Sequence, residues 1–310
     1  MTRLGDRSGF ALVTVLWLLV VVGSAAAAFQ AAGRAERRAA ANAVAEARGR
    51  WAARAGLARA LVALDRELRS GARGGGSAWA GGTYLQASRT TVGEIEVAVA
   101  TLDARARLNL NSADGDELRS LFTAVGMRRT DAAALADVVL DWRDRDNDRR
   151  PRGAETREYL AKGPLRPGNG PFQRADELLD LIGVTSEVYE LIEPHVGVTG
   201  DSLVNVNTAS VPVLTALPGV SPVAAAAIIA RRRARRFRTP FEVLAALPEP
   251  QREAIRGQMD AFVSRAAFTP RDLEIVATAT VPGSAVAARV TALVHLAGGA
   301  RWELVRVVDR

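Results

Sequence analysis

Between Phe10 and Gly33 the chain carries no charged residue, and its first part, Phe10-Ala-Leu-Val-Thr-Val-Leu-Trp-Leu-Leu-Val-Val-Val22, is almost wholly apolar. A run of that length can cross a bilayer as a helix, which takes roughly 20 residues. A cleaved secretory signal is the competing reading, since the small residues from Gly23 to Ala28 offer an Ala-x-Ala-like cut. The chain beyond Ala28 argues for an anchor instead: it stays Ala- and Arg-rich and helix-forming, with no Gly or Pro cluster before Gly71–Gly76. Leu57, Leu61, Leu64 and Leu68 then recur at helical spacing, one apolar stripe that must pack on something. The expectation is a single rod over about 10–70, lipid-embedded over about 10–33. Its length is on the order of 90 Å at about 1.5 Å per residue.

Composition narrows the chemistry. With 48% hydrophobic and 24% charged residues in 310, the chain can bury a sizeable core. There is no cysteine, hence no disulfide framework, thiolate metal site or thiol nucleophile. His195 and His295 fall in different predicted elements, which leaves no histidine triad or multi-histidine metal site within reach. No glycine-rich phosphate loop is present, and no catalytic residue is assigned. The net charge of +7 is almost all arginine spread along the chain, so it permits an anionic partner without choosing one.

Residues 71–104 open with a Gly-rich linker, Gly71–Gly82, after which Glu94-Ile-Glu-Val-Ala-Val-Ala-Thr101 alternates with period two as a half-buried strand. At the other end, residues 269–310 hold three predicted strands, Leu273–Val281, Val286–Leu296 and Trp302–Val308, joined by Pro282-Gly283-Ser284 and Gly298-Gly299 turns. The intervening residues 105–268 read as helical. The expected class is therefore α+β, a four-strand sheet interrupted by one large α-helical insertion.

The insertion repeats itself. Leu108-Asn-Leu-Asn-Ser-Ala113 matches Val204-Asn-Val-Asn-Thr-Ala209, and in the same register Leu118 falls on Leu214 and Leu121 on Leu217. Ser112 and Thr208 are the expected N-caps, while Asp114, Asp116 and Glu117 suit the positive end of the first helix. Asn109, Asn111, Asn205 and Asn207 are expected to bond to backbone. The second copy continues as Leu217-Pro-Gly-Val-Ser-Pro222 and Ala224–Arg233, which resembles a helix-hairpin-helix unit. In DNA-binding versions such a loop offers backbone N–H groups to phosphate. Ser221 stands where the second loop glycine would be and Pro222 has no N–H, so nucleic-acid binding is expected to be weak despite Arg231, Arg232, Arg233, Arg235, Arg236 and Arg238.

One further segment is rich in hard ligands: Asp141-Trp-Arg-Asp-Arg-Asp-Asn-Asp148, then Gly153-Ala-Glu155 and Tyr159. Two readings stay open on the residues alone. The carboxylates can converge on a hard cation, or they can pair with Arg143, Arg145, Arg149, Arg150 and Arg152 in a solvated acidic loop. The spacing is not that of an EF-hand.

Taken with these features, the leader Arg7-Ser8-Gly9 directly before Phe10 resembles a prepilin peptidase site, and the chain is similar nearly throughout to the minor pseudopilin K family of type II secretion systems. The resemblance implies a 1–9 leader removed by prepilin peptidase after Gly9, methylation of the new N-terminal Phe10, and a pilin-like sheet. It also implies a single-pass inner-membrane protein with a periplasmic globular part, placed at the pseudopilus tip beside other minor pseudopilins. Most pilin-like subunits carry Glu at the fifth mature position, whereas Thr14 stands there; the K family shares that departure. Calcium is implied too, with Asp144, Asp146, Asp148 and Glu155 as ligands and Asp141 as an extra ligand or supporting partner. The alternative is a membrane-anchored helix-hairpin-helix DNA receptor of a competence system, which the Asn205-Val-Asn-Thr-Ala209 segment also resembles.

Overall fold

The computed structural model describes residues 7–73, 87–163, 166–284, 286–298 and 301–309. The predicted leader before Arg7 and most of the Gly-rich linker lie outside the described residues. Helix α1, Arg7–Arg73, is one uninterrupted rod of 67 residues. It absorbs Gly71, so the linker starts later than its glycines suggested. Along Leu12–Val22 its apolar side chains are exposed, whereas Ala45, Ala52, Ala53, Leu57, Leu64 and Leu68 are buried. Two glycines let the rod lie flat. A Cβ on Gly56 would stand 2.5 Å from Val97 Cγ1, and one on Gly49 would stand 2.9 Å from Ala288 Cβ.

Beneath α1 lies an antiparallel sheet built from β1 (Ser88–Val92), β2 (Ile95–Asp103), and the strands β7 (Asp272–Thr280), β8 (Ala287–Gly298) and β9 (Arg301–Asp309), in the order β1-β2-β7-β8-β9. Five strands stand where four were expected. The extra one, β1, is a mostly exposed polar edge that joins β2 through a turn at Gly93, φ 60°. It lacks the alternation that reveals a half-buried strand. On β2 and β7 the alternation is clear: Ile95, Val97 and Val99, and Leu273, Ile275, Ala277 and Ala279, all point into the core against α1.

The insertion sits at one end of this layer. Gly49 of α1 lies over Val281 and Ala288, while Asp65, further from the apolar segment, accepts a hydrogen bond from Trp302 Nε1 at 3.2 Å. Asp103 pairs with Leu273 at the sheet end opposite Val281. The chain therefore leaves β2 and re-enters β7 at the end remote from the apolar half of α1.

Within the insertion, β3 (Leu108–Asn109) pairs in parallel with β4 (Val196–Gly197), and β5 (Val204–Asn205) with β6 (Ala266–Ala267). Around them pack α2 (Gly115–Ala124), α3 (Arg129–Arg143), α4 (Thr156–Lys162), α5 (Ser186–Ile192), α6 (Val211–Leu214), α7 (Pro222–Ala234), α8 (Pro240–Ala245), α9 (Glu249–Arg256) and α10 (Met259–Arg265). The sequence repeat is a structural repeat. Asn111 Nδ2 donates to Phe172 O and its Oδ1 accepts from Phe172 N (2.9 and 2.8 Å); Asn207 does the same with Phe237 (2.8 and 2.9 Å). Arg143, closing α3, donates to the carbonyls of Leu110 and Ala113, and Arg232 on α7 donates to those of Val206 and Ala209. Leu118, Leu121, Leu214 and Leu217 are all buried in the shared core.

The expected N-caps are displaced by two residues. Asp114 caps α2 and closes a capping box with Glu117, and Ser210 precedes α6 without a side-chain cap bond. An acceptor that can answer Glu117 reciprocally wins over Ser112, and Thr208 spends its hydroxyl on Asp103 Oδ2 at 2.7 Å. Asp103 is the joint between sheet and insertion, for it also accepts from Asn205 Nδ2 and Arg105 N.

Candidate metal centre

The acidic segment begins inside α3. Asp141 occupies its last turns and is fully buried, because the helix aims that position into the insertion core beside Trp142. Past Arg143 the chain leaves the helix, and Asp144 follows at its C-cap. Glu155 is brought back by the turn at Arg150–Gly153, where it begins α4. One oxygen each of Asp141, Asp144 and Glu155 lie within 4.8 Å of one another. Asp146 and Asp148 do not join this group. Both are exposed, and Asp146 Oδ1 instead accepts from Asp148 N at 2.9 Å. Of the carboxylates singled out in the sequence, Asp144 and Glu155 therefore meet Asp141, the expected extra ligand or supporting partner, while Asp146 and Asp148 stand apart. Alternate residues of an extended loop share a face but stand about 6–7 Å apart, whereas a helix end and a returning chain bring carboxylates from different segments together.

Gly153 is part of the construction. A Cβ there would fall on the Asp141 carboxylate, so only glycine lets the returning strand pass. Arg150, in sequence one of several loop arginines, bridges Asp141 Oδ1 and Asp144 Oδ2 at 2.6 Å each. Its backbone N–H also donates to Asp141. No sequence signal singles it out from Arg149 or Arg152.

The polar accounting is incomplete in a way that suits a cation. Glu155 is 3% exposed, and among the described residues neither of its carboxylate oxygens has a hydrogen-bond partner; Asp144 Oδ1 is likewise buried and unpartnered there. Buried polar atoms normally find partners. Burial, and then the charges of Asp141, Asp144 and Asp146, push the Glu155 carboxyl up to about 7. Burial also raises the Asp141 carboxyl, opposed by Arg150. Three carboxylates around unfilled oxygen valences form an all-oxygen donor set of the kind hard divalent ions take. Tyr159, packed near Trp142 at 5.5 Å between ring centroids, walls the site, and burial pushes its hydroxyl up to about 12.

The other predicted site residues belong to α1. Gly9 and Phe10 fall on its first turn, and their side chains lie outside the described residues; Thr14 is on the exposed apolar stretch. This helix is long and apolar enough to cross a membrane, with a window of mean hydropathy 2.4.

The basic run is not one uniform surface. Arg232 is held by two backbone carbonyls, and Arg235 lies 3.8 Å from Glu242. The loop that a helix-hairpin-helix would offer to phosphate is partly engaged within the protein. A Cβ on Gly219 (φ 74°) would stand 2.6 Å from Ala254 O, and Ser221 Oγ already caps Ala224 N. The likeness of this segment to a DNA-binding hairpin therefore rests on sequence alone.

Two family models described as type II secretion system (T2SS), protein K match residues 100–201 and 204–271, and the break between them falls between the two structural copies. The type II secretion system protein K of Pseudomonas aeruginosa is 30% identical over 253 residues, covering 75% of this chain and 74% of that protein. Among solved structures, the GspK-GspI-GspJ complex of the enterotoxigenic Escherichia coli type 2 secretion system aligns with TM-score 0.57 and 17% identity, over 73% of this chain and 83% of that one.

Proposed function

The chain belongs to the type II secretion system protein K family, and from that premise we propose that it works as the tip subunit of a pseudopilus, with calcium holding its inserted domain. As a minor pseudopilin its role in secretion is structural. The observation that carries the reading is the two-part character of α1: bare and apolar over Leu12–Val22, packed on the sheet from Ala45 to Leu68. A rod of that kind anchors a globular part to a bilayer while leaving its apolar half to pack against like helices. The neighbouring solved structure is a complex of GspK with GspI and GspJ, and corresponding minor pseudopilins are the partners we assign here. The inner membrane with a periplasmic globular part is the location this assembly requires.

In this reading prepilin peptidase cuts after Gly9 and the new terminus at Phe10 is methylated. Thr14 in place of a buried carboxylate fits a subunit with none above it, since an ionised group in lipid is costly without a partner. Asp141, Asp144 and Glu155 are the ligands assigned to calcium, with Asp146 and Asp148 as further carboxylates of the loop. Intact mass of the membrane-extracted protein tests the processing: a chain starting at Phe10 is expected, and one starting near Ala26–Phe29 would replace the pilin reading by a signal peptide. Gly9→Leu should leave the full-length precursor. For calcium, saturation a hundredfold above Kd adds about 2.7 kcal/mol. At about 2–4 °C per kcal/mol for a domain of this size, melts in chelator and in millimolar calcium should separate by several degrees. Glu155→Ala should merge them.

A further inference from the structure

We propose that the basic turn closing α7, which carries Arg231, Arg233 and Arg238 and is followed by the exposed ring of Phe241 at the start of α8, is a docking site for an acidic protein surface. Several arginines near this region are committed: Arg232 to two carbonyls, Arg235 near Glu242, Arg252 and Arg256 to Glu249 and Glu253. The side chains of Arg231, Arg233 and Arg238 are exposed and form no ion pair or hydrogen bond among the described residues. Positive charge is dense enough here that Arg232 is lowered by burial and then by Arg233 and Arg236. Phe241, three positions beyond Arg238 on α8, is 73% exposed.

The internal repeat makes the concentration of charge specific to this place. Arg143 and Arg232 are the equivalent staples of the two copies, but the chain beyond them differs, since α3 ends at Arg143 whereas α7 runs on to Ala234. After Arg143 it supplies Asp144, Asp146 and Asp148, and Arg150 is spent on Asp141 and Asp144. After Arg232 it supplies Arg233, Arg235, Arg236 and Arg238 with no acidic residue before Glu242. The first copy carries its own counter-charges, whereas the second leaves Arg233 and Arg238 for a partner to answer.

Three features favour a carboxylate-rich protein over phosphate or lipid. Arg231 and Arg233 stand at the C-terminus of α7, whose carbonyls favour cations. The α8 N-terminus beside Arg238 opens on Pro240, which has no N–H, with Arg238 N spent on Glu242 and Glu242 N on the Thr239 cap, whereas phosphate sites use free N–H groups. The N-terminal loop of α7 is partly engaged by Ser221, Pro222 and the packing of Gly219 on Ala254. Arginine beside an exposed aromatic is the composition of protein interface cores. The insertion also leaves the sheet at Asp103 and Asp272, the end remote from the apolar stretch of α1, so the bilayer that holds the anchor cannot be the occupant.

The test uses the full chain in detergent micelles and follows fluorescence anisotropy of a labelled Glu/Asp-rich peptide containing one Trp, at about 150 mM salt. The comparison arms are a duplex DNA of matched charge and phosphatidylglycerol vesicles. Saturable peptide binding is expected, weakened at least about tenfold by R231E/R233E/R238E and severalfold by Phe241→Ser. The control R66E/R129E/R166E changes net charge equally and should retain most of the affinity; circular dichroism verifies that both triple variants are folded. The proposal is overturned if the control weakens binding as much as the α7 variant, if the α7 variant binds the peptide unchanged, or if DNA or vesicles bind more tightly than the peptide through these arginines.

Discussion

Glu155 and Asp103 are both buried carboxylates, yet their neighbours make them opposites. Among the described residues Glu155 has no partner for either oxygen, and it is pushed up to about 7. Its folded pKa lies above that of an exposed glutamate, so the folded state keeps a proton that the unfolded chain has lost; the stability this contributes is full at low pH and disappears as pH rises through about 7. In chelator the melting temperature should therefore fall from pH 5 to pH 8, and Glu155→Gln should flatten that slope. The proposed calcium site requires the ionised form, so on that assignment calcium affinity should fall as pH drops below about 7. A chelator melt independent of pH in the parent protein would sink this account. Asp103 is raised by burial but opposed by bonds from Thr208, Asn205 and Arg105. Asp103→Ala leaves the Asn205 amide and Thr208 hydroxyl unanswered inside the protein, at a cost of about 1–3 kcal/mol per stranded group. Chemical denaturation should show a lower midpoint for that variant, without loss of membrane extraction. Glu155 was legible in the sequence through its family-like spacing, and Asp103 was not, because nothing local marks a strand-end aspartate as the partner of residues a hundred positions away.

Among the elements, the α7 unit shows best how similar residues take different work. Arg231 and Arg232 are neighbours in one basic run, but only Arg232 turns inward to the carbonyls of Val206 and Ala209. Arg232→Ala should destabilise by about 1–3 kcal/mol, since two carbonyls lose their donor, while Arg231→Ala should stay within about 0.5 kcal/mol of the parent. Urea titrations of the two variants side by side measure the difference. Gly219→Ala combines a positive φ with a Cβ driven against Ala254 O, and should exceed either. The helical repeat was readable because Asn and Leu recur in register. The Arg143–Arg232 equivalence was not, since the first helix of the second copy is cut from ten residues to four and shifts the alignment.

At the scale of the molecule, α1 is one covalent rod with two solvents. Among the described residues, the α1 side chains buried against the sheet begin at Ala45, so a fragment beginning near Val44 should be soluble without detergent and keep the melting behaviour of the globular part. Gel filtration and circular dichroism check this, and aggregation of the fragment would mean that the apolar half contributes to folding. Within the packed half, Gly56→Val forces bulk against Val97 and should cost about 1–3 kcal/mol by overpacking, lifting the rod off the sheet.

Periodicity and composition act through neighbours a few residues apart, and the features that depend on them alone were determined by the sequence: the rod and its apolar half, the long strands, the helical character of the insertion, and the repeat. Only the tertiary structure decided which carboxylates meet, which arginine in a run faces inward, and that a polar edge strand completes the sheet. Those outcomes depend on where a helix end, a returning loop and a distant strand converge in space. Spacing along the loop therefore singled out Asp144, Asp146, Asp148 and Glu155 with Asp141 beside them, and of these the fold brings Asp141, Asp144 and Glu155 together while Asp146 and Asp148 stay outside.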